Sequence, residues 1–247
     1  MSLGEIYPGW HAAESAIANH PEYVLKLWLQ QGRDDKRAST LAEQAKTLGI
    51  PIEMVSRSAL EKQSRVHQGV IAWLKSQTLP AESELFELLE KLTHPPFLLV
   101  LDGIQDPHNL GACLRTADAA GVDAVIIPKH HAVGLTPAVR KVACGAAESL
   151  PIFQVTNLAR TLEQFKTSGI WISGLALSDE AVSIYDAPWQ GAVAIVMGAE
   201  ESGLRPITIK HCDRLVIIPM LGAVQSLNVS VATGVVLYTA LQQRQST

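Results

Sequence analysis

A chain of 247 residues with 47% hydrophobic content is long enough to bury a full core and to carry a second, smaller unit, and its formal charge of −4 gives no basic signature, so a nucleic-acid partner has to be read from a local surface. Its three cysteines, Cys113, Cys144 and Cys212, lie far apart with no C-x-x-C pair, which argues against a disulfide framework or a metal site. No apolar run approaches the roughly 20 residues of a membrane span, and MSLGEIYPGWHAAESA lacks the charged-then-apolar order of a signal peptide, so a cytoplasmic protein without a membrane partner is expected.

Periodicity predicts a helix over 11–19, a strand at YVLKLWL (23–29), a helix over 39–48, and strands at IPIEMVS (50–56) and GVIAWL (69–74). That is a compact mixed α/β domain over residues 1–75. Residues 76–96, with a polar lead, a short amphipathic helix and a Pro pair, read as a linker. From Phe97 apolar runs alternate with helices. The strands are FLLVLD (97–102), AVIIP (124–128), PIFQV (151–155), IWISGLAL (170–177), AVAIVMG (192–198) and RLVIIP (214–219). The helices are 109–120, 136–147, 157–168 and about 227–243. Near-continuous apolar strands separated by helices predict an α/β fold with a parallel sheet covered on both faces, and such sheets bind ligands at the carboxyl ends of their strands.

The unusual residues lie at those ends. Asn109 is a natural N-cap for the helix after FLLVLD, and Gly111 in its first turn leaves a gap over which Arg115 would lean, a niche suited to a phosphate. Gly198 ends a buried strand before Glu200 and Glu201, acids favoured near a helix start. In IPMLGAVQSLNVSVATG (218–234), Ser226 is placed to cap a helix whose Leu227, Val231 and Val235 would face the sheet. Capping does not account for Asn228 or Ser230 inside an apolar turn. A binding site does.

NLGACLR (109–115), IVMGAEESG (195–203) and IPMLGAVQSLNVSVATG (218–234) together resemble the three ordered motifs of the SpoU/TrmH family of RNA ribose 2′-O-methyltransferases, and VHQGVIA (66–72) resembles part of that family's small L30e-like RNA-binding domain. LDGIQDPHNLGACLRTADAAGV and KVACGAAES come closest to the bacterial branch that methylates a guanosine in the peptidyl-transferase loop of 23S ribosomal RNA. The resemblance implies a SPOUT-type C-terminal domain over 97–247, a parallel sheet tied in a deep trefoil knot. It implies S-adenosylmethionine bent among the loops after Leu175, Gly198 and Ile218, with Leu227 beside it and glycines at 198 and 222 where main chain approaches the ligand. It also implies Asn109, Arg115, Glu200, Ser226 and Asn228 as the catalytic set, with Asn109 and Glu200 fixing Arg115 and the nucleotide. No metal is implied, because the sulfonium is already an activated donor.

Two roles for Arg115 stay open. As the base it must be neutralised, which for an arginine of pKa about 12.5 at pH 7 costs roughly 7 kcal/mol. As a charged clamp it binds phosphate and orients the ribose. A homodimer through the C-terminal domain is expected from the family and from a last helix apolar over a wide arc. The alternatives are a 2′-O-methyltransferase acting on transfer RNA and a non-catalytic RNA- or ribosome-binding protein.

Overall fold

The computed structural model describes residues 4–19, 21–32, 36–75, 79–200 and 202–245. Its contacts divide the chain into a first unit up to Thr78 and a second from Leu79.

In the first unit the order is β1 (Glu5–Pro8), α1 (Trp10–Asn19), a 3-10 turn at Pro21–Tyr23, β2 (Val24–Gln30), α2 (Lys36–Thr47), β3 (Ile52–Val55), α3 (Arg57–Gln63) and β4 (Val70–Leu74). The sheet runs β1-β4-β2-β3, antiparallel except for β2 against β3. Strand alternation splits β2 between two cores: Leu27 and Leu29 pack with Ala13, Ile17 and Leu41, while Trp28 joins Leu60, Ile71 and Trp73 on the other face. Strand β1 and helix α3 were not expected. Four residues, and seven of mostly polar type, are too few for a periodic signal.

The second unit continues with α4 (Glu82–Lys91), β5 (Phe97–Asp102), α5 (Pro107–Ala119), β6 (Ala124–Pro128), α6 (Pro137–Ala143), α7 (Ala146–Ser149) and β7 (Ile152–Val155). Then come α8 (Leu158–Thr167), β8 (Trp171–Leu175), β9 (Val182–Ser183), β10 (Val193–Gly198), α9 (Pro206–His211), β11 (Arg214–Ile217) and α10 (Val229–Gln245). All seven strands are parallel, in the order β7-β6-β5-β10-β8-β11-β9. The continuous apolar runs are explained by two-sided burial. Leu99, Leu101, Val125, Ile127, Ile195 and Met197 face one core, and Leu98, Val100, Ile126, Ala194 and Val196 face the other.

Residues 79–96 differ from the expected linker. Leu85 of α4 is fully buried against Leu98, Phe165 and Ile172, and Arg160 and Thr161 of α8 both bond to Glu82. The amphipathic stretch is a layer of the second unit. Residues 76–78 lie outside the described residues.

The helix expected over 136–147 is two. Cys144 ends α6 at φ +53 and Gly145 follows at φ +98, so the chain turns left-handed between them. The gap expected at Gly111 is also corrected. A Cβ there would lie 2.7 Å from both the Val139 carbonyl and the Val142 Cβ, so α6 already fills the space. Gly111→Ala is therefore expected to destabilise the protein by about 1–3 kcal/mol through overpacking, outweighing the helix preference of Ala over Gly. Urea denaturation measures it, and an unchanged midpoint would contradict this packing.

Candidate active site

Because the sheet is parallel, all its carboxyl ends lie along one edge, and Asp102 of β5 pairs in register with Gly198 of β10. Strand β8 ends at Leu175, paired with Val216 of β11. The loops that follow β5, β10 and β11 carry the three motifs, and their side chains meet there.

The meeting depends on which residue caps each helix. Asp106, not Asn109, caps α5: its Oδ1 accepts the His108 N–H at 2.8 Å, and Pro107 occupies the first helical position. Asn109 then stands inside the first turn with its amide unused by the helix. At α10, Asn228 and not Ser226 is the cap. Its Oδ1 accepts from the Ser230 N–H at 2.9 Å and from the Ser230 hydroxyl at 2.6 Å, and the helix begins at Val229. The inward face shifts accordingly to Val229, Ala232, Val236 and Leu237, leaving Leu227 and Val231 exposed and Val235 partly buried.

The freed groups form a chain across the motifs. Asn109 Nδ2 donates to Glu200 Oε1 at 2.9 Å, and Asn228 Nδ2 donates to Asn109 Oδ1 at 3.0 Å. An ionised carboxylate only accepts, so it fixes the Asn109 amide with nitrogen toward Glu200 and oxygen toward Asn228. The same orientation leaves Asn228 Oδ1 for Ser230. One carboxylate just after β10 thus sets the polarity of four hydrogen bonds ending at the N-terminus of α10.

Arg115 stands apart from this chain. It is exposed on α5, and its Nη1 donates to Cys144 Sγ at 3.6 Å. Among the described residues it makes no hydrogen bond to Asn109 or Glu200, so the expectation that those two fix it is corrected. Ser226 lies in an exposed loop without a side-chain hydrogen bond among the described residues, and Glu201 falls outside them.

Gly198 has a cause other than ligand approach. A Cβ on it would lie 2.1 Å from the Gly203 carbonyl carbon, because Ala199 and Gly203 pair in an antiparallel bridge that folds the loop back. Gly222 is exposed with open space around its Cβ position. Leu175 and Ile218 sit half-buried against the core at the same edge.

Asp102 was missed. Its side chain is fully buried, yet it accepts from Arg205 Nε at 2.7 Å, the Arg205 N–H at 3.3 Å and Thr208 Oγ1 at 2.6 Å, with Arg205 Nη2 at 2.5 Å. This clamp ties the start of α9, and so the turn that carries Glu200, to the end of β5. The signal was the single charge closing FLLVLD. Burial pushes the Cys113 thiol up to about 11, against a hydrogen bond with Thr233 and with Glu200 adding to the rise. Burial likewise pushes Cys212 up to about 12. No cluster of three metal-ligating side chains occurs among the described residues, nor any helix long and apolar enough to cross a membrane.

Residues 96–238 match the SpoU rRNA Methylase family, across the segment that contains every residue of this edge. The chain belongs to that family. Residues 7–80 match the family described as RNA 2'-O ribose methyltransferase substrate binding. The SpoU relatives include the 23S rRNA (guanosine-2'-O-)-methyltransferase RlmB of Shewanella oneidensis, 52% identical over 248 residues and covering 100% of both chains. The enzyme of the same name from Pseudomonas syringae pv. tomato is 51% identical, covering 99% of this chain and 97% of its own. Among solved SpoU structures, the methyltransferase AviRb from Streptomyces viridochromogenes, in complex with the cofactor AdoMet, superposes with a TM-score of 0.68. It is 22% identical and covers 98% of this chain and 91% of its own, so it supports the fold.

Proposed function

We propose that this chain transfers a methyl group from S-adenosylmethionine to the ribose 2′-OH of a guanosine in 23S ribosomal RNA, in the cytoplasm. The observation that carries the reading is the hydrogen-bonded chain Asn228–Asn109–Glu200, which gathers three sequence-distant motifs at one edge of the sheet. Relatives of this name align over the whole chain, which favours 23S over transfer RNA.

The edge fits the donor. Leu175 and Ile218 offer half-buried apolar contact, Gly198 keeps the loop tight against the strand, and Leu227 is an exposed apolar side chain at the end of the following loop. Residues 220–227 make no backbone hydrogen bonds among the described residues, so their N–H and C=O groups are available to an adenosine or a carboxylate. When bound, the donor supplies an activated methyl on a sulfonium, whose carbon–sulfur electron pair returns to sulfur. The protein's part is positioning: the ribose oxygen takes the methyl and the 2′-OH proton leaves to solvent, since Arg115 is charged and Glu200 is committed to Asn109. Arg115 holds the phosphate beside the target ribose as a charged fork, Asn109 and Asn228 orient the sugar, and Glu200 locks their amides. Ser226 lies on the exposed loop between β11 and α10.

In this reading residues 97–247 form the deep trefoil-knotted domain and residues 1–75 an L30e-like RNA-binding domain. The placement of β8 between β10 and β11, out of sequence order, is compatible with a threaded chain. The working unit is a homodimer through the C-terminal domain, since α10 leaves Val231 and Tyr238 exposed after burying its opposite face.

The test is purified protein with labelled S-adenosylmethionine and 23S RNA. Label is expected as 2′-O-methylguanosine in 23S RNA, made by a species that sediments as a dimer. Label confined to transfer RNA, or none, would refute the assignment.

A further inference from the structure

The second unit is acidic overall, yet residues 124–147, AVIIPKHHAVGLTPAVRKVACGAA, contain no Asp or Glu and carry Lys129, His130, His131, Arg140 and Lys141. The fold lays this acid-free segment along the site. The turn after β6 leaves the sheet at the carboxyl edge. Gly103 lies beside both it and the Glu200 turn: an added Cβ there would sit 3.5 Å from the His131 carbonyl and 3.9 Å from the Ala199 Cβ. The Val133 N–H then donates to the Ile104 carbonyl at 2.9 Å, Thr136 caps α6, and α6 crosses α5 at Gly111. Near its end the segment reaches Cys144, where Arg115 rests. It therefore runs from beside Glu200, over the start of α5, to the catalytic arginine.

Its two lysines, Lys129 and Lys141, are held for no internal purpose. Lys129, His130, His131 and Lys141 are exposed, and none makes an ion pair or side-chain hydrogen bond among the described residues. The other sign is represented nearby by Glu200, committed to Asn109, by Asp106, committed to the cap of α5, and by Asp118, which accepts from Ser149. A segment without acids that carries two unpaired lysines, on a net-acidic domain and running past the proposed reaction centre, matches a polyanion strand in sign.

We infer that this strip, with Lys129 at one end and Lys141 at the other, is the track that holds the RNA phosphodiester backbone flanking the target nucleotide. The inference rests on the RNA-methyltransferase reading and adds to it where the strand lies. The contact is electrostatic and independent of base identity, so the strip supplies affinity and register while selection of the nucleotide comes from elsewhere.

The test uses the full-length protein and equilibrium binding of a 23S RNA fragment across a salt series, which does not depend on turnover. Lys129→Ala/Lys141→Ala should weaken RNA binding about tenfold or more at low salt and reduce the slope of log affinity against log salt by about 1 to 2, as expected for two lost phosphate contacts. Calorimetric binding of S-adenosylhomocysteine and kcat at saturating RNA should stay at wild-type values, showing that the fold and the reaction centre are intact. Lys210→Ala, an exposed lysine on α9 outside the strip, is the control. Unchanged slope and affinity in the double variant, or an equal loss in the control, would overturn the track. Wild-type protein that binds RNA in this salt-dependent way without methylating it would instead overturn the functional reading alone.

Discussion

Arg115→Ala is expected to lower single-turnover methyl transfer by a factor on the order of 10² to 10³, the range seen when a positioned charge-stabilising donor is removed. Binding of S-adenosylhomocysteine should persist, because Arg115 lies on α5 and the proposed donor contacts come from the ends of β8, β10 and β11. The structure sharpens the reason for the effect. Gly111 leaves no niche, since α6 fills it, and the guanidinium rests on a thiol at 3.6 Å, a weak acceptor that a phosphate would displace. Arg115→Lys should restore little, as lysine lacks the planar fork. Wild-type turnover in Arg115→Ala would remove this residue from the site.

Arg205→Ala should destabilise the second unit by about 3 kcal/mol, as expected when one partner of a buried ion pair is removed. Arg205 is itself 39% exposed, so its Coulomb attraction is discounted by solvent, and most of the effect is the penalty on Asp102, whose side chain is 0% exposed. Thr208 Oγ1 and the backbone N–H at 205 remain as partial compensation. Thr208→Val should cost less, about 2 kcal/mol, because one hydrogen bond to the carboxylate is lost while the Arg205 contacts remain. Urea unfolding reads both. A loss below about 1 kcal/mol for Arg205→Ala would show that the clamp does not hold the loop. Methyl transfer should fall with stability in this variant, since the same loop presents Glu200 to Asn109.

Much of the second unit was legible before its structure. The strands FLLVLD, AVIIP and AVAIVMG are apolar at every position but the last because both faces of a parallel sheet are buried, and that pattern survives in sequence. The helix starts were less legible. Asp106 and Asn109, or Ser226 and Asn228, are equally good caps by residue type, and only the backbone path selects between them. With Asp106 capping α5, the Asn109 amide is left to bond Glu200 and Asn228, and with Asn228 capping α10, Ser226 is left in an exposed loop.

Sequence by itself determined the composition of the two units, the parallel-sheet class and the three motif segments, because burial and local turn chemistry act on neighbouring residues and leave periodic traces. Through its family resemblance it also pointed to Asn109, Arg115, Glu200, Ser226 and Asn228 as one set, of which the structure links Asn109, Glu200 and Asn228 by hydrogen bonds. Tertiary structure alone decided how they connect. Asn109 meets Glu200 across 91 residues and Asn228 across 119, while Arg115 turns to Cys144 instead. The buried Asp102 clamp, the filling of Gly111 by α6 and the folding of the loop onto Gly198 are likewise contacts between distant segments. Such contacts depend on where the chain returns in space, and a hydrogen bond of about 3 Å leaves no local pattern from which that return could be read.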